Sequence, residues 1–114
     1  MNIKRGGVYL AALDPTIGRE ISKTRPVVVI SNDKNNTFSG TVTVLPISSQ
    51  AVQKVYPFEV ALPKGSGNLP KNSKIKADQI RTLDKRRLIK PIGSLTDKEM
   101  LSAEKAVKIH LNFS

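Results

Sequence analysis

The run Arg25-Pro26-Val27-Val28-Val29-Ile30-Ser31-Asn32-Asp33 constrains the fold more than any other stretch of the chain. Its β-branched residues stop at the turn signal Ser-Asn-Asp. The run is long enough for a buried strand and too short for a typical globular helix. Proline has no N–H to give to a ladder, so Pro26 belongs at the strand's first residues or on an edge. Arg25 precedes that proline, is biased toward an extended conformation and points out of the strand's entrance. A permanently charged fork is thus held at the end of a rigid element, a placement suited to a phosphate ligand.

Charge fits a phosphate partner. The chain carries 19 Lys+Arg against 9 Asp+Glu, a formal net charge of +10, the footprint of a nucleic-acid binder. The excess is regional. Between Lys64 and Lys90 the basic residues also include Lys71, Lys74, Lys76, Arg81, Lys85, Arg86 and Arg87, against Asp78 and Asp84 alone. From Thr96 onward, Lys98, Lys105 and Lys108 balance Asp97, Glu99 and Glu104. The bland alternative is a solubilising surface, which an even spread of charge would fit better.

The remaining bounds are short. Residues 1–114 are expected to form a single domain with one core. Cysteine is absent, which removes disulfides and thiolate metal sites. No stretch approaches the ~20 apolar residues of a membrane span, and the N-terminus lacks the apolar centre of a secretory signal. A cytoplasmic protein without a membrane partner is the expectation.

Val8–Leu13 reads as a first strand, stopped by Asp14-Pro15-Thr16. Residues 14–24 form a polar loop, longer than a usual link between adjacent strands, and long loops tend to be functional or disordered. Val27–Ile30 is the second strand, Asn32–Gly40 a turn-rich connection with room for one helical turn, and Thr41–Leu45 a third strand ended near Pro46, Ile47, Ser48 and Ser49. Tyr56–Leu62 reads as a fourth strand, with Pro57 marking an edge or bulge. Pro63–Pro70 is loop. Ser73–Ala77 is another short strand, Asp78–Asp84 a turn and short strand, and Arg87–Ile92 the last. Many short strands with Gly/Pro turns argue for a small barrel or sandwich. Thr96-Asp97-Lys98-Glu99 is a capping box. After it Met100, Ala103, Val107 and Leu111 share one helical stripe, so an amphipathic helix closes the chain over Thr96–Leu111.

These segments, in this order, resemble the MazF/PemK (Kid) family of toxin endoribonucleases. Arg5-Gly6-Gly7-Val8-Tyr9 is similar to the family's opening Arg-Gly-Asp/Glu-Val-Tyr/Trp, with Gly7 in place of the acid. Asp14-Pro15-Thr16-Ile17-Gly18-Arg19-Glu20 matches its Asp-Pro-Thr-x-Gly-x-Glu loop. Thr24–Asp33 matches its second strand, and Pro46-Ile47-Ser48-Ser49 its Pro-Ile-Thr-Ser, with serine for threonine. Asp78-Gln79-Ile80-Arg81-Thr82-Leu83-Asp84-Lys85-Arg86-Arg87-Leu88 matches its Asp-Gln-Ile-Arg-Thr-Val-Asp-Lys-x-Arg-Leu. The resemblance implies a small SH3-like antiparallel β-barrel with a C-terminal α-helix, acting as a homodimer. It implies sequence-selective cleavage of single-stranded RNA, chiefly mRNA, without metal or cofactor, and a cognate antitoxin as partner. It implies that Arg25 and Ser48 are the catalytic pair.

The chemistry is consistent with that pair. In RNA the 2′-OH is a nucleophile already in place. Ribonucleases often use two histidines to move its proton, and this chain has only His110, which reads as a surface or structural residue. A guanidinium holds its proton, so Arg25 is suited to clamping the scissile phosphate and neutralising the transition state. Proton delivery to the leaving oxygen is a second role open to it. Ser48 can donate to a non-bridging oxygen. The alternatives are a surface ion pair for Arg25 and a turn-capping hydroxyl for Ser48.

Base readout is expected from loops. The two tyrosines and three phenylalanines are too few and too scattered for a stacking platform. Polar readers are Arg19, Glu20, Ser22 and Lys23 in the first loop, and Asp78, Gln79 and Arg81 in the basic segment. Glu20 and Asp78 suit acceptance from base amino groups or an ion pair equally well. Ile17, Gly18, Ser49 and Arg86, in the same matched segments, complete the expected RNA-binding set. Two competing functions remain: a CcdB-like gyrase poison, which the same fold hosts, and a non-catalytic nucleic-acid-binding module.

Overall fold

The computed structural model describes residues 1–113. Strands β1 (Gly7–Ala12) and β2 (Thr24–Val29) precede a short helix α1 (Asp33–Phe38). Strands β3 (Thr41–Ser48), β4 (Glu59–Leu62), β5 (Ser73–Lys76), β6 (Arg81–Asp84) and β7 (Leu88–Ser94) follow, and helix α2 (Asp97–Leu111) ends the chain. All pairings are antiparallel in a seven-stranded sheet of order β4-β5-β3-β2-β1-β7, with β6 also paired to β3. The sheet is the mainly-β, barrel-like architecture with a C-terminal helix expected from the sequence. Among the described residues no ladder joins β7 to β4 or β6, so the barrel is open.

The run Val27-Val28-Val29 is apolar without alternation because β2 is buried on both faces. Val28 joins Val8, Leu45, Ile47, Ile75 and the α2 residues Met100, Ala103 and Ala106 in one cluster. Val27 and Val29 join Tyr9, Ala11, Val42, Val44, Leu83 and Leu88 in the other. Burying each such side chain contributes roughly 1.5–3 kcal/mol, so this central strand is a rigid base for whatever stands at its ends.

Several element boundaries differ from the sequence reading. β2 begins at Thr24, ahead of Pro26, because β3 pairs with it only from Val27 onward, so Pro26 lies beyond the last β3 ladder position. β3 runs through Pro46 to Ser48, within the four residues expected to end it. On its far edge β6 pairs with Thr41–Val44 and β5 with Ile47–Ser48, so Pro46 sits where the partner strand changes and that ladder asks nothing of it. β4 starts at Glu59, which leaves Tyr56 and Pro57 in the preceding turn. α1 is longer than one turn, capped by Asn32, whose Oδ1 accepts the Asn35 N–H at 2.8 Å.

The capping box of α2 is present: the Glu99 N–H donates to Thr96 Oγ1 at 3.1 Å, and the Thr96 N–H donates to Glu99 Oε1 at 2.9 Å. Its buried stripe is Met100, Ala103 and Ala106, with Val107 half-buried. Leu111 is on the same side by spacing but is exposed.

Arg5 anchors the N-terminus. Its backbone N–H donates to Asp33 Oδ1 at 2.7 Å, its Nε to the Ile30 carbonyl at 3.2 Å, and its Nη2 lies 3.6 Å from Glu104 Oε2. Gly7 stands against the Tyr9 ring, where an added Cβ would come within 2.7 Å of Tyr9 Cε1. A side chain at position 7 therefore requires that ring to move.

Candidate active site

Arg25 is the second residue of β2 and Ser48 the last of β3. The β2–β3 ladder pairs Val29 with Val44, Val28 with Leu45 and Val27 with Pro46. Arg25 and Ser48 lie just past the last pair of that ladder, at the same end of the two neighbouring strands. Both line one cleft of about 370 Å³, together with Ser49, Gln50, Pro70 and Lys71.

The Arg25 side chain is exposed. Its Nη1 donates to the Thr24 carbonyl at 3.0 Å, and among the described residues no carboxylate lies within ion-pair distance of it. Ser48 is half-buried, and its Oγ accepts the Gln50 N–H at 3.0 Å. The hydroxyl does cap a turn, as one of the two sequence readings has it. That bond uses an oxygen lone pair and leaves the O–H proton free to donate. Capping thereby orients the hydroxyl without consuming its donor.

A second cleft, also about 370 Å³, is lined by Ile17, Arg19, Glu20, Asp78, Gln79 and Arg81, together with Ile80. Sequence segments some sixty positions apart meet here, because hydrogen bonds staple the 14–24 loop to the basic segment. Gln79 Oε1 accepts the Ile21 N–H at 3.2 Å, and its Nε2 donates to the Arg19 carbonyl at 3.3 Å. Arg81 Nη1 donates to the Leu13 carbonyl at 3.3 Å. Arg87, which the sequence reading did not single out, donates Nη1 to the carbonyls of Ala12 and Asp14.

Inside the loop, Glu20 Oε1 accepts the Ile17 N–H at 2.6 Å, and the neck closes where the Leu13 N–H donates to the Lys23 carbonyl at 2.8 Å. Lys23 and Gly18 both take positive φ, 65° and 58°. Asp78 Oδ1 is buried without a hydrogen-bond partner among the described residues and lies 3.9 Å from Lys76 Nζ.

Gly18, Ser22, Lys23 and Arg86 line neither cleft. Arg86 has 91% of its side chain exposed and is paired with Asp84, Nε to Oδ1 and Nη2 to Oδ2, each at 3.0 Å. Those hydrogen bonds, with the Arg86 N–H, hold the Asp84 carboxyl down at about 2. The aromatics are less scattered than the sequence suggests. Tyr56 and Phe58 stack with centroids 5.5 Å apart, and Lys54 Nζ lies 4.9 Å from the Tyr56 centroid.

A buried charge cluster behind the first cleft had no sequence signature. Glu59 Oε1 accepts from Lys74 Nζ at 3.0 Å and from the Tyr56 N–H at 3.0 Å, while Oε2 accepts from Lys76 Nζ at 2.8 Å. Burial pushes the Glu59 carboxyl up, but hydrogen bonds from Lys76, the Tyr56 N–H and Lys74 outweigh it, and the net shift is down. Glu59 and Lys74 sit in separate short strands, and only the β4–β5 pairing brings them together.

The family described as PemK-like, MazF-like toxin of type II toxin-antitoxin system matches residues 4–111. The chain is 42% identical over 109 residues to endoribonuclease MazF of Staphylococcus saprophyticus, covering 96% of this chain and 91% of that protein. It is 37% identical over 115 residues to endoribonuclease MazF9 of Mycobacterium tuberculosis, covering 96% and 97%. The crystal structure of MazF from Deinococcus radiodurans superposes with a TM-score of 0.85 at 26% identity, covering 99% of each chain.

Proposed function

Because the chain belongs to the PemK-like, MazF-like toxin family, we propose that Arg25 and Ser48 carry the chemistry of its RNA cleavage. The chain is a toxin endoribonuclease of a toxin–antitoxin system, and an antitoxin and a second copy of the chain are its protein partners. No helix among the described residues is long and apolar enough to cross a membrane; the substrate, cellular RNA, argues for action in the cytoplasm. The gyrase-poison and non-catalytic readings have no observation in their favour.

The observation that carries the catalytic assignment is the Arg25 fork lining one cleft with a hydroxyl that accepts a backbone N–H and keeps its own proton to donate. With a single-stranded RNA phosphate in the cleft, the 2′-oxygen attacks phosphorus and forms the new P–O2′ bond. The P–O5′ bond breaks. Water takes the 2′ proton, and a proton from solvent or from Arg25 reaches the departing 5′-oxygen. The products are a 2′,3′-cyclic phosphate and a 5′-OH. Charge builds on the non-bridging oxygens, where Arg25 supplies a planar cationic fork and Ser48 a neutral donor. Arg25 supplies that positive charge without a metal ion. The 14–24 loop and residues 78–81 flank this chemistry and select the bases that approach it.

The test is a strand of cleavable sequence with hydrogen in place of the 2′-OH at the cut position, run beside the unmodified strand with EDTA present. The unmodified strand should be cut and the deoxy strand left whole. Cutting of the deoxy strand, or loss of all cutting in EDTA, would overturn the route.

A further inference from the structure

Ser48 is useful only while its hydroxyl stays in the cleft that Arg25 also lines, so the contacts of the neighbouring strand and loop bear on it. Ser48 pairs across the β3–β5 ladder with Lys74. The Lys74 side chain is 5% exposed and turns away to Glu59, whose side chain is 1% exposed. Besides the carboxylate, Lys74 Nζ donates to the Lys54 carbonyl at 3.0 Å, and Glu59 Oε1 accepts the Tyr56 N–H at 3.0 Å. Residues 49–58 connect β3 to β4. Their first members, Ser49 and Gln50, line the cleft with Arg25, and their returning limb is the part held by Lys74 and Glu59.

A buried ion pair is a poor device for stability alone, since apolar residues of similar volume commonly serve as well or better. Apolar residues cannot hydrogen-bond a loop backbone. Here each partner of the pair has a charge contact to the other and a backbone contact to the loop. Lys76, 23% exposed, supplies the second cation, 2.8 Å from Glu59 Oε2. We propose that Glu59 and Lys74 are positioning residues: together they clamp the returning limb of the 49–58 loop onto β5 and so hold the Ser48–Gln50 turn in register with Arg25. The proposal rests on the reading of Ser48 as a donor to the phosphate.

The experiment compares the wild-type chain with the double variant Glu59→Gln/Lys74→Met, which removes both charges of the pair and leaves Lys76, partly exposed, with Asp78 as its remaining carboxylate. The substrate is a single-stranded RNA oligonucleotide that the wild type cuts. The expected result is a cooperatively unfolding variant whose kcat is lower by about 10- to 100-fold, the scale of a misplacement near 1 Å, with KM within about threefold. A folded variant with wild-type kcat, or one in which only KM rises, overturns the proposal. A second measurement needs no variant. Amide exchange in the native chain should show Gln50 and Tyr56 protected like Ile75 of β5, and exchange at unprotected-loop rates overturns the clamp. Failure of the underlying reading has a different signature: Arg25→Ala or Ser48→Ala retaining full activity.

Discussion

The two clefts are built in opposite ways. In the first, Arg25 and Ser48 stand at neighbouring strand ends, and the groups that line the cleft remain available: a guanidinium with no carboxylate partner among the described residues and a hydroxyl with its proton free to donate. In the second, Ile17 to Glu20 and Asp78 to Arg81 come together through side chain–backbone bonds, and most polar groups are already engaged by the protein. The sheet supplies rigidity without using the chemistry of the side chains it displays. A loop has no ladder and must use side chains to hold its shape. The first cleft is therefore suited to catalysis, and the second to presenting a shaped surface to bases.

Removing Arg25 should have the largest effect. Arg25→Ala is expected to lower kcat by at least about 10²–10³-fold while stability moves little, since the side chain is exposed at a strand end and makes one bond to its neighbour's carbonyl. Arg25→Lys should recover little of it, because a point charge does not reproduce the fork. Cleavage assays beside thermal unfolding check this, and a fully active Arg25→Ala protein would erase the contrast between the clefts.

Ser48→Ala comes next. It removes a neutral donor and the acceptor for the Gln50 N–H, so kcat should fall by about 10- to 100-fold. Ser48→Thr keeps both functions and should stay within a few-fold of wild type. Equal loss in both variants would show that shape, not the hydroxyl, matters there.

Gln79→Ala sharpens the second half of the comparison. It deletes two hydrogen bonds to the 14–24 loop, each worth about 1 kcal/mol. The expected outcome is KM raised about 5- to 10-fold, relaxed discrimination among cut sequences, and faster amide exchange at Ile21, with kcat nearly kept. Mapping of cleavage ends on a long transcript measures the relaxation. A drop confined to kcat would place Gln79 with the chemistry instead.

Arg86 should matter least. It lines neither cleft and is already paired with Asp84 on the surface, so Arg86→Ala should change cleavage by less than about twofold. Its measurable trace is acid titration. The Asp84 carboxyl lies at about 2 instead of 3.8. A depressed carboxyl stabilises the fold above its unfolded value, and that contribution disappears as pH falls from 3.8 toward 2. NMR titration of the Arg86→Ala chain should return Asp84 toward 3.8 and remove this part of the acid sensitivity.

Local patterns account for much of the fold. The Thr96/Glu99 box marked the start of α2 because capping is a contact between near neighbours, written within one turn of sequence. Val27 to Val29 announced a buried strand because a β-branched run has few other places to go. Strand ends at prolines were less legible. Pro46 looks like a terminator but lies within β3, and whether a missing N–H costs anything depends on which strand lies alongside. Leu111 fits the helical stripe by spacing, yet α2 has little beneath it at that end and the side chain is exposed.

By itself the sequence determined a basic, cysteine-free chain of short strands closed by one capped helix, with an arginine at the entrance of its central strand. These follow from residue type and from neighbours within a few positions, where the physics is local. Tertiary structure alone decided that Ser48 shares a cleft with Arg25, that Gln79 holds a loop near residue 20, and that Lys74 is buried on Glu59. Each of those depends on strand order and packing, which bring distant residues together and leave no mark in the sequence around any one of them.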